Sequence, residues 1–244
     1  MKRKYMMWVR KNMTTNRKLF QHKGSGLNYD DLECITESTG RRYVTPEGKK
    51  YPSITTVLSI LSEDSIREWR ARVGEEEANK ISHRAASRGT AVHSIIEDYI
   101  NNKEDYSKKY MPNVVQDFKR VKDILDSRIG EVYAQEVPLY SDYFKIAGRV
   151  DCIAEFDGIL SVIDFKTSRK TKKKEWIENY FIQESFYAAA FYERTGIAIK
   201  QIVTIISVDN DESQVFIEEP LKWLPKLTNV RKEYSRREFF GTAK

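Results

Sequence analysis

The chain has 244 residues, 40% hydrophobic and 32% charged, an ordinary globular composition long enough to bury a sizeable core. Its net charge of +6 is unevenly spread, because residues 1–24 carry eight Lys or Arg and no acid. Two cysteines, Cys34 and Cys152, exclude a disulfide scaffold, and within one chain they exclude a four-cysteine zinc or iron-sulfur site. No stretch approaches the roughly 20 apolar residues of a membrane span, and Met6-Met7-Trp8-Val9 is too short for a signal peptide. A start poor in Ser and Ala reads against a mitochondrial presequence, so the expectation is a soluble intracellular protein.

Residues 1–40 show little periodicity and read as a basic, partly ordered extension, with one domain expected over 41–244. Arg42–Tyr51 predicts a small hairpin around Pro46-Glu47-Gly48. A helical front follows, about residues 53–128. Its predicted helices run from Ser65 to about Ile81, from Arg84 to Tyr99 with the stripe Val92, Ile95, Ile96 and Tyr99, and from Met111-Pro112 through Leu125. Three strands are then predicted, around Val132–Leu139, Arg149–Ala154 and Leu160–Phe165, starting a core over about 130–244. A helix from about Lys174 to Thr195 ends at Gly196, strands follow at Lys200–Val208 and Gln214–Glu218, and a last helix begins near Pro225. This order fits an α/β fold with a mixed central sheet flanked by helices and a helical N-terminal elaboration.

Asp151 and Asp164 sit inside apolar segments that read as buried strands, where an unpaired charge costs several kcal/mol or more. The Asp157-Gly158 pair between them is a strong hairpin signal that brings the two carboxylates alongside each other. Asp164 and Lys166 share a face because strand side chains alternate. Two acids and a lysine so placed can hold a hard metal ion and cut a phosphodiester. Glu136, on the preceding strand, is a candidate further carboxylate, with a solvated edge position as its alternative.

Gly148-x-x-Asp151, Asp164-Phe165-Lys166 and Gln183-x-x-x-Tyr187 resemble the PD-(D/E)xK nuclease superfamily, in its RecB-like branch. Arg88–Glu97, with His93, matches that branch's histidine helix. The segment Tyr51–Leu58 resembles the phage exonucleases related to the mitochondrial genome maintenance exonuclease. The likeness covers about residues 42–208. It implies a restriction-endonuclease-like core, a monomer, and Mg²⁺ or Mn²⁺ held by His93, Asp151, Asp164 and the Phe165 carbonyl. Lys166 is implied to activate water, with Gln183 and Tyr187 beside it on a face that also meets the DNA backbone. Glu97, four residues after His93, reads as a group that orients His93 or caps the site, or as a further ligand. The implied substrate is DNA, single-stranded with a free end, in the cytoplasm of a bacterial host if the chain is phage-encoded. A flap endonuclease and a non-catalytic DNA-binding accessory protein are the alternatives.

Other residues carry ordinary readings beside these. His93 borders an apolar stripe and reads equally as a packed histidine, and His22 and His83 earn no role. Trp176, Tyr180, Gln183, Tyr187 and Ala190 advance by four and three, marking one helical face. Arg169, Lys170, Lys172, Lys173 and Lys174 form a basic run just beyond the proposed site, where phosphates must lie, and Arg88 extends the same field. Trp69, Arg70 and Arg72 offer a base-stacking surface, or simply packing.

Overall fold

The structure, a computed structural model, describes residues 17–241. Strands β1 (Glu33–Glu37), β2 (Gly40–Val44) and β3 (Lys50–Pro52) pair antiparallel in that order, the last two through the expected Pro-Glu-Gly turn. β1 was not legible in the sequence. Its residues are mostly exposed, so no apolar alternation develops and pairing with β2 alone defines it.

The main sheet contains β4 (Ile129–Ser141), β5 (Ile146–Phe156), β6 (Ile159–Ser168), β7 (Gln201–Val208) and β8 (Gln214–Glu218), adjacent in chain order. All neighbours run antiparallel except β6 and β7, whose parallel pairing requires a crossover and receives a helix. The β5–β6 hairpin turns on Asp157 and Gly158, with φ of 53° and 78°, the two positive values that a two-residue turn of this hand needs. That turn sets the register. Cys152 opposes Ile163, the ladder stops there, and Asp151 and Asp164 occupy the next position, where the strands part.

Among the described residues six α-helices complete the fold: α1 (Ile54–Leu58), α2 (Glu63–Val73), α3 (Glu75–Ile100), α4 (Pro112–Arg128), α5 (Glu178–Thr195) and α6 (Leu224–Phe239). α3 and α4 cover one sheet face, where Val92, Ile95, Ile96, Phe118 and Val121 pack with Ile163, Phe165 and Val203. α1, α5 and α6 cover the other, where Ile54, Phe181, Phe186 and Leu227 pack with Val150, Val162 and Ile202. The result is the mixed α/β architecture expected, in three layers. Among the described residues no helix is long and apolar enough to cross a membrane.

The front helices divide differently from the expected Ser65–Ile81 and Arg84–Tyr99. The break falls at Gly74, whose φ of 90° suits glycine alone, and α3 then runs unbroken to Ile100. Residues 17–23 are packed rather than loose. Phe20 is 3% exposed, and Val132 N–H donates to the Gln21 carbonyl at 2.8 Å while Lys23 N–H donates to the Val132 carbonyl at 2.8 Å. Residues 1–16 of the basic extension lie outside the described residues.

Candidate active site

The site forms where β5 and β6 separate. Beyond the last ladder pair, the Phe165 N–H donates to Asp151 Oδ2 at 2.9 Å, so a side chain replaces the missing backbone acceptor. Asp164 and Lys166 project toward α5, as the strand period predicts. The Lys166 ammonium pairs with Asp164 Oδ2 and stands 5.1 Å from the Tyr180 ring centroid. Gln183 Nε2 donates to Asp164 Oδ1 at 3.0 Å, which accounts for a glutamine on an aromatic helix face.

From the other face α3 delivers His93, whose Nδ1 lies 3.3 Å from Asp151 Oδ2 and whose ring meets Phe165 edge-on. Glu136 comes from β4, where it has φ 48° inside a strand. Gln135 opposes Cys152 and Val137 opposes Val150, so Glu136 stands across from Asp151 in a conformation that costs a non-glycine residue of order 1–3 kcal/mol. Its carbonyl accepts from the Arg149 guanidinium. Ligand atoms of His93, Glu136 and Asp151 all lie within 4.8 Å of one another, and that trio is the group among the described residues able to hold a metal ion together.

Electrostatics confirm a surplus of negative charge. Burial, and then the Asp151 charge, push the Glu136 carboxyl up to about 7. Burial likewise raises Asp164 to about 6, against the pull of Lys166. Asp151 is buried too, yet His93 and Lys166 hold it below its ordinary value. Burial works against the His93 and Lys166 cations, but the carboxylates outweigh it and raise both, His93 to about 9. Asp164 Oδ2 is buried without a hydrogen bond beyond its ion pair. Crowded carboxylate oxygens with one imidazole and one under-bonded oxygen suit a hard divalent cation.

Sequence reasoning missed Glu184. It is fully buried on α5, accepts from the Thr204 hydroxyl through Oε1, and leaves Oε2 without a partner. Burial, with Asp164 nearby, raises its carboxyl well above the ordinary range. The available signal was its spacing from Phe181 and Ala188, three and four positions away on an apolar face.

Several expected residues sit elsewhere. Arg88 does not face solvent as a phosphate contact, because Nε and Nη2 bind Asp117 at 2.6 and 2.8 Å and Nη1 binds Asp209 at 2.9 Å. Glu97 is only partly buried, and its charge adds to the rise at Glu136. Arg70 is tied to Glu75. Trp176 leaves the expected helical face, since it lies in a separate 3-10 turn, Lys174–Trp176, and is exposed. Arg169 and Lys170 are exposed, while the Lys172 N–H donates to Gln214 Oε1 at 2.6 Å.

Tyr187 is buried against β5. A Cβ at Gly148 would stand 2.9 Å from the Tyr187 hydroxyl and 3.0 Å from Ile54 Cγ2. The glycine of Gly-x-x-Asp therefore makes room for the tyrosine of Gln-x-x-x-Tyr. Gly148→Ala is expected to cost about 1–3 kcal/mol through overpacking, read as a lower melting temperature. An unchanged melt would show that Tyr187 and Ile54 yield freely.

The sequence profile of the PD-(D/E)XK nuclease superfamily matches residues 63–215. Mouse mitochondrial genome maintenance exonuclease 1 is 28% identical over 129 residues, which is 50% of this chain but only 38% of that protein. Among solved structures, a candidate exonuclease from Eubacterium rectale is 14% identical, with 61% of this chain and 68% of that one covered at a TM-score of 0.34. The protein SSO0001 is 18% identical, with 59% and 72% covered at a TM-score of 0.32. The profile match takes in the helix bearing His93, both strand aspartates, Lys166 and Gln183, and the chain belongs to the PD-(D/E)XK nuclease superfamily.

Proposed function

We propose that this protein is a Mg²⁺- or Mn²⁺-dependent deoxyribonuclease that works as an exonuclease on free ends of single-stranded DNA. The observation that carries the reading is the meeting of His93, Glu136, Asp151, Asp164 and Lys166 at one end of the hairpin. Membership of a nuclease superfamily that uses divalent metals supports it, as does the name of the mouse relative.

His93, Asp151 and Asp164 would hold the metal, with the Phe165 carbonyl and Glu136 beside them. Such an ion would supply positive charge against the negative charge growing on the phosphate. Lys166 orients the attacking water from beside Asp164 and favours its deprotonated form. Gln183 fixes Asp164, and Glu97, four residues after His93 on α3, is the group proposed to orient it. Arg169, Lys170 and Lys172 meet the DNA backbone. One chain contains the whole constellation, so the site needs no second copy and a monomer suffices. Its nuclease domain has a front over 53–128 and a core over 130–244, with residues 17–40 packed on them.

The test compares end-labelled linear with closed circular single-stranded DNA in Mg²⁺ or Mn²⁺, with chelator as control. The expected result is stepwise loss of linear strands, intact circles, and no reaction in chelator. Rapid cutting of circles that spares linear duplex would instead support a structure-specific endonuclease. Binding without cleavage of any DNA form would point to an accessory protein.

A further inference from the structure

The strand that carries Asp164 and Lys166 runs directly into a basic loop, residues 169–174. This loop is held in shape: Lys172 N–H donates to Gln214 Oε1 at 2.6 Å, and Gln214 Nε2 donates back to the Lys172 carbonyl at 3.0 Å. Lys174 at its end is neutralised by Glu218. Arg169, Lys170, Lys172 and Lys173 have no ion pair among the described residues. Four free cations on a pinned loop, beginning three residues beyond Lys166, are placed to meet phosphates.

The loop ends at Trp176, which is 64% exposed, whereas Trp223 is 3% exposed. Lys173 Nζ lies 5.4 Å from the Trp176 ring centroid. Four residues on, Tyr180 places its ring 5.1 Å from Lys166 Nζ. An exposed indole and unpaired cations thus share the segment between Lys166 and the helix that carries Tyr180. A single exposed apolar side chain is ordinary, but an exposed indole beside the Lys173 cation, on the segment that leaves the site, has the two parts that a single-strand track needs: charge for the backbone and a flat face for a base.

We propose that Trp176 stacks an unpaired base of the substrate strand, with Arg169, Lys170 and Lys173 on the adjoining phosphates, and so sets which phosphodiester reaches Lys166 and Asp164. The inference rests on the nuclease reading above and deepens it by naming what recognises a single strand. A duplex hides its base faces in its own stack, so the same surface discriminates against it.

The test uses the full chain and a labelled oligothymidine. Without divalent metal, Trp176→Ala is expected to weaken binding about tenfold, within the range for one lost base stack, and Trp176→Phe to restore most of it. In turnover the Ala variant raises KM by a similar factor with kcat little changed. An abasic site moved along the oligonucleotide should weaken wild-type binding at one position and have no further effect there on Trp176→Ala. Equal binding of oligothymidine by wild type and Trp176→Ala, or an abasic penalty unchanged by the substitution, overturns the proposal. Because binding is read without metal, wild-type protein that cuts nothing would sink the exonuclease reading while leaving the stacking result readable.

Discussion

Asp164→Asn is expected to lower turnover by at least about 10²–10³-fold while changing the melting temperature little. The rate follows from losing a charged metal ligand beside the water-orienting lysine. The stability expectation follows from two opposing effects: burial raises the Asp164 carboxyl against the pull of Lys166, while that same carboxylate holds the buried Lys166 cation, so removing its charge relieves one group and deprives the other. Lys166→Ala is expected to abolish turnover to a similar degree but to destabilise the protein, because Asp151 and Asp164 lose their buried cation. Members of a site act as a unit, so the double substitution should lower turnover little beyond either single one. Single-turnover assays on an end-labelled strand, with thermal melts of the same preparations, decide the matter. Near-normal turnover by Lys166→Ala at saturating DNA would show that water is oriented by another group.

The central pair was legible because the information is local. Asp157-Gly158 fixes a two-residue turn, the turn fixes the register, and the register sets Asp151 beside Asp164. The period of two then assigns Lys166 to the α5 face, where it is found. Glu136 was only half legible. Nothing in its sequence shows that it takes φ 48°, and a regular strand leaves open the solvated edge position that was its alternative. The ion pairs of Arg88 were illegible for another reason. A lone arginine on a helix reads as available charge, and its carboxylates Asp117 and Asp209 come from 29 and 121 residues away. Glu184 was hidden by the motif that contains it: attention to Gln183 and Tyr187 passed over an acid facing the interior.

Removing residues 1–24 is expected to disrupt the fold, through the loss of residues 17–23. The reason lies in what residues 17–23 touch. The Arg17 guanidinium lies 4.6 Å from the Tyr99 ring centroid and 4.7 Å from that of Tyr106, and Nη2 donates to the Tyr99 carbonyl at 2.8 Å. Phe20 meets Tyr99 edge-on with centroids 5.6 Å apart, and exchanges two hydrogen bonds of 2.9 Å with the Asn102 side chain. Lys18 Nζ donates to the Asp126 carbonyl at 2.7 Å. This strap closes the open end of α3 and α4 and edges β4, so its loss exposes the core that carries His93. Phe20→Ala alone is expected to cost about 3–5 kcal/mol, a large share of the roughly 5–15 kcal/mol that holds a domain folded. For a chain of this size that lowers the melting temperature by roughly 6–20 °C. A shorter truncation, of residues 1–16 alone, should weaken DNA binding, because residues 1–16 carry Lys2, Arg3, Lys4, Arg10 and Lys11. Each of these that sits on a phosphate contributes about 0.7 to the log-log salt slope on single strands. Thermal melts of both truncations, with a salt titration of the shorter one, separate the two roles. A 1–24 deletion that melts like the intact chain would show that the strap only decorates the fold, and an unchanged salt slope after removing 1–16 would exclude the arm from the DNA track.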